Sequence, residues 1–383
     1  METAGEPATP HDQAAPAGGR PLVSIVMPML NEERYIAACL DSLLAQTFDM
    51  SRAEFFVIDG GSTDRSRDIV REYGRRHAGI ALLDNPFRYQ AQALNIAIPH
   101  CRGEYVLRID CHSSYPPDYV AQVVRTFEET GADNVAGATI SRPGAETTEA
   151  MAIYLVQGSR LGGGASYARQ EGGVGRFLSG PGMTSGWSFR RSAILRTGPF
   201  DERLIRNQDN EYTCRLAQKG GRVFWGPKVR SIYYARSRVG KFLRLMFRNG
   251  FYHMLTWRVC PQSFAVMHSV PAVFVLALLT LSAAAVFWPP ARWLLGGMMA
   301  VYGLAVTGAA IGAAMNAGAR YLAWLPWLFF LTHLAYGSGT LLGAVRFGMI
   351  RLDNTDAQRC RDTATLEKSE MRGPKLETSP KDP

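Results

Sequence analysis

Residues 54–64 read Glu-Phe-Phe-Val-Ile-Asp-Gly-Gly-Ser-Thr-Asp. The apolar run over 54–58 stops at Asp59, Gly60 and Gly61 turn the chain, and Ser, Thr or Asp caps a helix over 64–76. A buried strand feeding a glycine turn and a helix start is one half of a βαβ unit. The same rhythm extends outward. Residues 22–30 form an apolar strand closed by Asn31-Glu32, and 32–46 carry apolar residues at helical spacing. A third strand is expected at 80–84, a helix at 89–98 and a fourth strand at 104–110, and Pro116-Pro117 open a helix reaching about residue 130. Four alternations predict an α/β domain whose sheet is parallel at its core, with helices on both faces. Further on, 209–219 reads as a helix and 222–225 as a short strand.

The chain is 383 residues long, with 42 Lys and Arg against 33 Asp and Glu. Charged residues are 20% of the chain, too few for a disordered protein. They are unevenly spread. Residues 264–345 hold only Arg292 and Arg320, and three apolar stretches, 264–288, 293–315 and 322–345, are each long enough to span a bilayer. Trp288, Trp293, Tyr321, Trp324 and Trp327 stand near their ends, as interfacial aromatics do. This excludes a wholly soluble protein. Just before them, 226–263 carries Lys228, Arg230, Arg236, Arg238, Lys241, Arg244, Arg248 and Arg258 with no acid. That placement suits an anionic cytoplasmic leaflet better than a nucleic acid. Residues 238–263 read as a basic amphipathic helix at the membrane surface. Three spans put the polar tail, 346–383, opposite the soluble domain, whereas Arg346 and Arg351 favour the cytosol. A re-entrant stretch remains open.

Cys39, Cys101, Cys111, Cys214, Cys260 and Cys360 form no C-x-x-C pair, so reduced cytosolic thiols are expected rather than zinc or redox chemistry. Residues 1–20 lack an apolar core and read as a disordered tail rather than a signal peptide. The glycine-rich region 158–187 is either a mobile loop over a ligand or an irregular surface excursion. The expected domains are therefore 21–237, the interfacial helix 238–263, the membrane block 264–345 and the tail.

Acids at the carboxyl ends of parallel strands face the ligand crevice of such a sheet. Asp59 ends the second strand; it suits a nucleoside, or an ordinary turn and cap. Asp110-Cys111-His112 ends the fourth; Asp110 and His112 suit a divalent cation on a diphosphate, or a hydrogen-bonded loop pair. In Asn207-Gln208-Asp209-Asn210-Glu211, Asp209 or Glu211 suits a general base, or a helix start favoured by the dipole. Arg88 suits a phosphate, or a solvated surface.

Taken in order, these motifs resemble the family 2 glycosyltransferases with the GT-A fold. The carriers are V-S-I-V-M-P-M-L-N-E-E-R-Y-I, V-I-D-G-G-S-T-D, N-P-F-R-Y-Q-A-Q-A-L-N-I-A-I, L-R-I-D-C-H and N-Q-D-N-E-Y-T-C-R-L, within residues 21–235. Gly60 and His112 stand where many members have a second Asp, and Gln208 stands where a Glu is usual. Asp-x-His, the glycine turn and the three spans look closest to the succinoglycan-type exopolysaccharide glucosyltransferases. The resemblance implies a Rossmann-like nucleotide-diphospho-sugar transferase fold, with a mixed, mainly parallel sheet followed by transmembrane helices. It implies donor contacts from Pro28, Asn31, Glu32, Asp59, Arg88, Asn95 and Asp110. It also implies Mn²⁺ or Mg²⁺ on Asp110 and His112, Asp209 as base, and Gln208, Glu211 and Arg215 on the acceptor side. Neither His112 nor Gln208 removes a group that metal-assisted, inverting transfer requires.

The expected activity is transfer of one sugar, glucose by resemblance, from a UDP-sugar to a polyprenyl diphosphate-linked saccharide. The expected place is an inner membrane, with the catalytic domain in the cytoplasm and possible membership of a polysaccharide assembly complex. A processive synthase is an alternative. Such relatives carry Gln-x-x-Arg-Trp after the base motif, and none follows Asp209. A non-catalytic nucleotide-sugar-binding scaffold is the other alternative; the retained Asp59, Asp110 and Asp209 speak against it.

Overall fold

A computed structural model of the chain describes residues 19–163, 174–179, 187–263 and 266–348. The expected N-terminal tail, apart from its last two residues, lies outside the described residues. So do the middle of the glycine-rich region and the polar tail from 349.

The first half follows the expected alternation: β1 (Val23–Met29), α1 (Ile36–Leu44), β2 (Ala53–Asp59), α2 (Ser66–Arg76), β3 (Ile80–Asp84), α3 (Gln90–Ala97) and β4 (Tyr105–Arg108). Then come β5 (Ser113–Ser114), α4 (Tyr119–Thr130), β6 (Asn134–Arg142), α5 (Thr148–Gln157), α6 (Arg160–Gly163), β7 (Arg176–Leu178), β8 (Ser188–Arg190), α7 (Arg191–Thr197), α8 (Gln208–Gln218) and β9 (Val223–Tyr234). The strands form one sheet in the order β3-β2-β1-β4-β8-β6-β9-β5, with β7 also on β9. β3, β2, β1 and β4 are mutually parallel, as the sequence predicts. Beyond them β8 runs antiparallel between β4 and β6. The predicted short strand at 222–225 continues to Tyr234, parallel to β6 with a register shift at Gly137/Ala138. Lys228 and Arg230, two cations of the basic segment, therefore lie on this strand.

β1 is apolar because both its faces are covered. Val23, Ile25 and Met27 pack with α1 and α4, and Val26 packs with α3, Phe189 and Tyr212 on the other side. Each such side chain contributes roughly 1.5–3 kcal/mol on burial. The register sets Met29, Asp59 and Asp84 side by side at one edge.

Four helices follow: α9 (Val239–Val259), α10 (Val270–Phe287), α11 (Pro289–Ala317) and α12 (Leu325–Gly348). Three segments, Val266–Phe287, Pro289–Met315 and Leu325–Gly348, are long and apolar enough to cross a membrane. The second begins at Pro289, which the helix accepts in its first turn, four residues before its expected start. α9 lies along α12 at close range: a Cβ on Gly339 or Gly343 would strike the carbonyl of Phe247 or Phe251, and one on Gly250 that of Tyr336. α5, which the sequence reading passed over, packs Ala152, Ile153 and Val156 among Phe242 of α9, Val306 and Ala310 of α11, and Phe329 of α12. His333 of α12 donates from Nε2 to the Leu161 carbonyl at 2.9 Å and accepts the Tyr302 hydroxyl at Nδ1. The five cysteines in the described residues are free and buried.

Candidate active site

The candidate site begins where β1 and β2 end, side by side. Gly61 takes a positive φ of 83°. The Asp59 carboxylate then accepts from the Gly61 amide at 3.2 Å and the Ser62 amide at 3.1 Å. Arg67 bridges Asp59 and Asp84, 2.6 Å from each. Burial pushes the Asp59 carboxyl up, but the Ser62 and Arg67 hydrogen bonds outweigh it and hold the group below the usual carboxylate range. Its oxygens serve the turn, so of the two sequence readings the cap is the one visible in its bonds. Asn31, in the left-handed region at φ 55°, accepts the Thr63 amide at 2.8 Å and donates its own amide to Ser62 Oγ. The Glu32 amide donates to Ser66 Oγ at 2.7 Å. These bonds tie the loops carrying Asn31 and Asp59 into one wall.

Gly60 has a local cause. A Cβ there would lie 3.0 Å from the Arg88 carbonyl, so a second Asp at this position is sterically disfavoured. Arg88 itself adopts φ 68° and is exposed. Asn95 serves another purpose: its amide accepts from Phe200 N at 2.8 Å and donates to Phe200 O and Glu202 Oε1. It holds the loop leading to the base turn rather than bonding within the wall.

β4 delivers Asp110 and His112. Arg108 takes one Asp110 oxygen. The Asp110 amide donates to Tyr115 Oη at 3.0 Å, and Cys111 Sγ donates to the Pro28 carbonyl at 3.4 Å. His112 Nδ1 lies 3.0 Å from Glu32 Oε1, and that hydrogen bond pulls the imidazole pKa up against its burial. In the neutral ring with its proton on Nδ1 toward Glu32, Nε2 keeps its lone pair, the orientation that carboxylate-held metal histidines use. Among the described residues no three His, Cys, Asp or Glu side chains converge on one point. The donor set fits a hard or borderline cation held by one carboxylate and one imidazole, with substrate oxygens completing its shell.

On the facing side, Asn207, at φ 60°, starts α8 and puts Asp209 and Glu211 in its first turn. Glu211 is buried and paired with Arg215 at 2.6 Å, and Arg215 also donates to the carbonyls of Thr197 and Pro199. That carboxylate is committed to the fold. Of the two base candidates, Asp209 is the one left partly exposed.

Sequence reasoning missed what joins the two sides. Arg108 is 6% exposed, with its guanidinium stacked on the Trp187 ring. With the Gln90 amide turned so that its oxygen faces Arg108, it accepts from Nη2 at 2.7 Å and Nε at 3.0 Å. In that orientation the Gln90 nitrogen faces the side-chain nitrogen of the buried Gln208, whose amide must turn as well to accept from it. The path Asp110–Arg108–Gln90–Gln208 thus runs from the proposed cation corner to the residue before Asp209. An arginine inside the apolar run Tyr105–Ile109 was the available signal.

Residues 24–196 match the family description "Glycosyl transferase family 2". The chain is 31% identical to the succinoglycan biosynthesis protein ExoA of Rhizobium meliloti (strain 1021), over 64% of this chain and 78% of that protein. It is 28% identical to a Methanococcus voltae enzyme over 61% of this chain and 76% of that protein. That enzyme is a dolichyl N-acetyl-alpha-D-glucosaminyl phosphate 3-beta-D-2,3-diacetamido-2,3-dideoxy-beta-D-glucuronosyltransferase. Among solved structures, the mannosyltransferase PcManGT from Pyrobaculum calidifontis, in complex with GDP-Man and Mn²⁺, superposes with a TM-score of 0.55 at 21% identity. That match covers 86% of this chain and 90% of that one, and it speaks to the fold.

Proposed function

The chain belongs to glycosyl transferase family 2 and has the GT-A fold, and on that premise we propose that it adds a single glucose from UDP-glucose to a lipid-linked saccharide, with inversion. It is a glycosyltransferase carrying three helices long and apolar enough to cross a membrane. Its relatives include a succinoglycan biosynthesis protein and an enzyme named for a dolichyl phosphate-linked sugar, which support a lipid-linked acceptor. The observation that carries the reading is the path through Arg108, Gln90 and Gln208, which fixes the Asp110–His112 corner against the Asp209 turn.

In this mechanism the wall of Pro28, Asn31, Glu32 and Asp59 receives the nucleoside, and Arg88 offers its exposed guanidinium to phosphate. Asp110 and His112 would hold Mn²⁺ or Mg²⁺, which would supply positive charge where the leaving diphosphate gains negative charge. Asp209 removes the proton from the acceptor hydroxyl as that oxygen attacks the anomeric carbon from the face opposite the diphosphate. One base and one displacement give inversion. Gln208 keeps the first turn of α8 in place, and the Glu211–Arg215 pair fixes that helix to the carbonyls of Thr197 and Pro199. The catalytic domain lies on the cytoplasmic side of an inner membrane in this reading, where nucleotide sugars are made.

The test is product analysis. Detergent-purified protein is given UDP-, GDP- and dTDP-sugars with polyprenyl diphosphate-linked saccharides, with Mn²⁺, Mg²⁺ or chelator. One added glucose of inverted configuration, made only with metal, is expected. Long polymer would reveal a processive synthase. Nucleotide-sugar binding without transfer to any acceptor would favour a scaffold.

A further inference from the structure

The family reading leaves Arg206, Arg236 and Arg248 without a role. They come from three places: the turn before α8, the segment after β9, and the middle of α9. The pairing of β5 with β9, Ser113 with Tyr233 and Ser114 with Ile232, brings the start of the 235–238 segment beside the His112 loop. Arg206 is partly buried, while Arg236 and Arg248 are exposed. None of the three makes an ion pair among the described residues. Other cations of the basic segment are committed: Arg238 to Glu149 at 3.5 Å, and Arg258 to the carbonyls of Phe347 and Gly348.

The three share one electrostatic neighbourhood. Burial, then Arg248 and Arg236, push the Arg206 guanidinium below its ordinary value, and Asp209 pulls the other way. Arg236 also acts on His112, so it lies within electrostatic reach of both the turn before α8 and the proposed cation corner. Arg236 and Arg248 repel the Arg206 guanidinium, which Asp209 attracts, and desolvation of Arg206 strengthens that repulsion. A multivalent anion relieves it.

We propose that Arg206, Arg236 and Arg248 form a diphosphate-binding site that holds the polyprenyl diphosphate of the acceptor beside Asp209. This rests on the transferase reading above. The donor's diphosphate belongs at Asp110 and His112. The helix supplying Arg248 runs along α12, a membrane-length helix, so a lipid-borne diphosphate reaches this site from the bilayer surface. Held there by charge-assisted bonds, the first sugars of the acceptor fall within reach of the base.

The experiment uses the full chain in phosphatidylcholine nanodiscs. Binding of polyprenyl diphosphate, and separately of UDP with Mn²⁺, is measured for wild type, the Arg236→Gln/Arg248→Gln double variant, and Arg244→Gln as a cation on the same helix outside the cluster. The double variant is expected to weaken polyprenyl diphosphate binding at least tenfold and UDP binding less than twofold, with Arg244→Gln unchanged. Inorganic pyrophosphate should compete with the lipid on wild type. If the double variant loses UDP and keeps the lipid, the cluster serves the donor and the proposal falls. If Arg244→Gln weakens the lipid equally, general surface attraction explains the cluster and the proposal falls. Transfer by wild type with unchanged lipid binding in the double variant overturns the site and leaves the transferase reading standing. The expected binding pattern without transfer to any acceptor overturns that reading and leaves the site.

Discussion

Asp209→Asn keeps the shape of the α8 start and removes its basicity. The expected loss in kcat is about 10²–10⁴-fold with the thermal midpoint unchanged, read by nucleoside diphosphate release. Gln90→Ala cuts the path between the two sides without touching substrate. Its expected signature is a roughly tenfold fall in kcat with donor affinity intact, and a fall in donor affinity alone would contradict that role. Asp59 supplies the pH prediction. Its folded pKa lies below the ordinary value of about 3.9, so its stabilising effect is present above that pH and disappears as pH falls through the folded value. Asp59→Asn therefore lowers Tm at pH 7, and the gap to wild type closes in acid, below about pH 4. A gap that widens in acid contradicts the turn assignment. Asp59, Asp110 and Asp209 were legible because each ends a strand or starts a helix. Arg108 and Gln90 were not, because their meaning lies in a side-chain path between β4, α3 and α8 that no local pattern encodes.

At the scale of elements, the parallel strands were readable from their apolar runs because both faces of that half of the sheet are covered. β8 escaped notice because it follows the glycine-rich region and its place is set by pairing with β4 and β6, far away in sequence. α5 escaped because it is apolar on nearly every side, which blurs the helical period; the membrane-length helices cover it. The α9–α12 contact gives a direct test. Gly339→Leu or Gly343→Leu must separate backbones that now touch, at about 1–3 kcal/mol or more. Lower thermal midpoints in detergent are expected. Gly348→Leu, where nothing lies near the added carbon, should be silent.

For the whole molecule, the candidate site lies past the carboxyl ends of the parallel strands, and α5, α9 and the last helix tie the sheet domain to the membrane-length bundle through one apolar cluster. The protein is accordingly expected to stay with membranes through carbonate and high-salt washes, since burial of three spans is not screened by salt. Release by salt alone would contradict the membrane reading. The proposed reaction is a base-assisted, single transfer between the Asp110–His112 corner and Asp209. The most direct measurement is acceptor-dependent nucleoside diphosphate release by wild type and Asp209→Asn, both with Mn²⁺ and with matched donor binding. Release that needs the acceptor and falls at least a hundredfold in the variant is the predicted result. Equal release by the two proteins would contradict the claim.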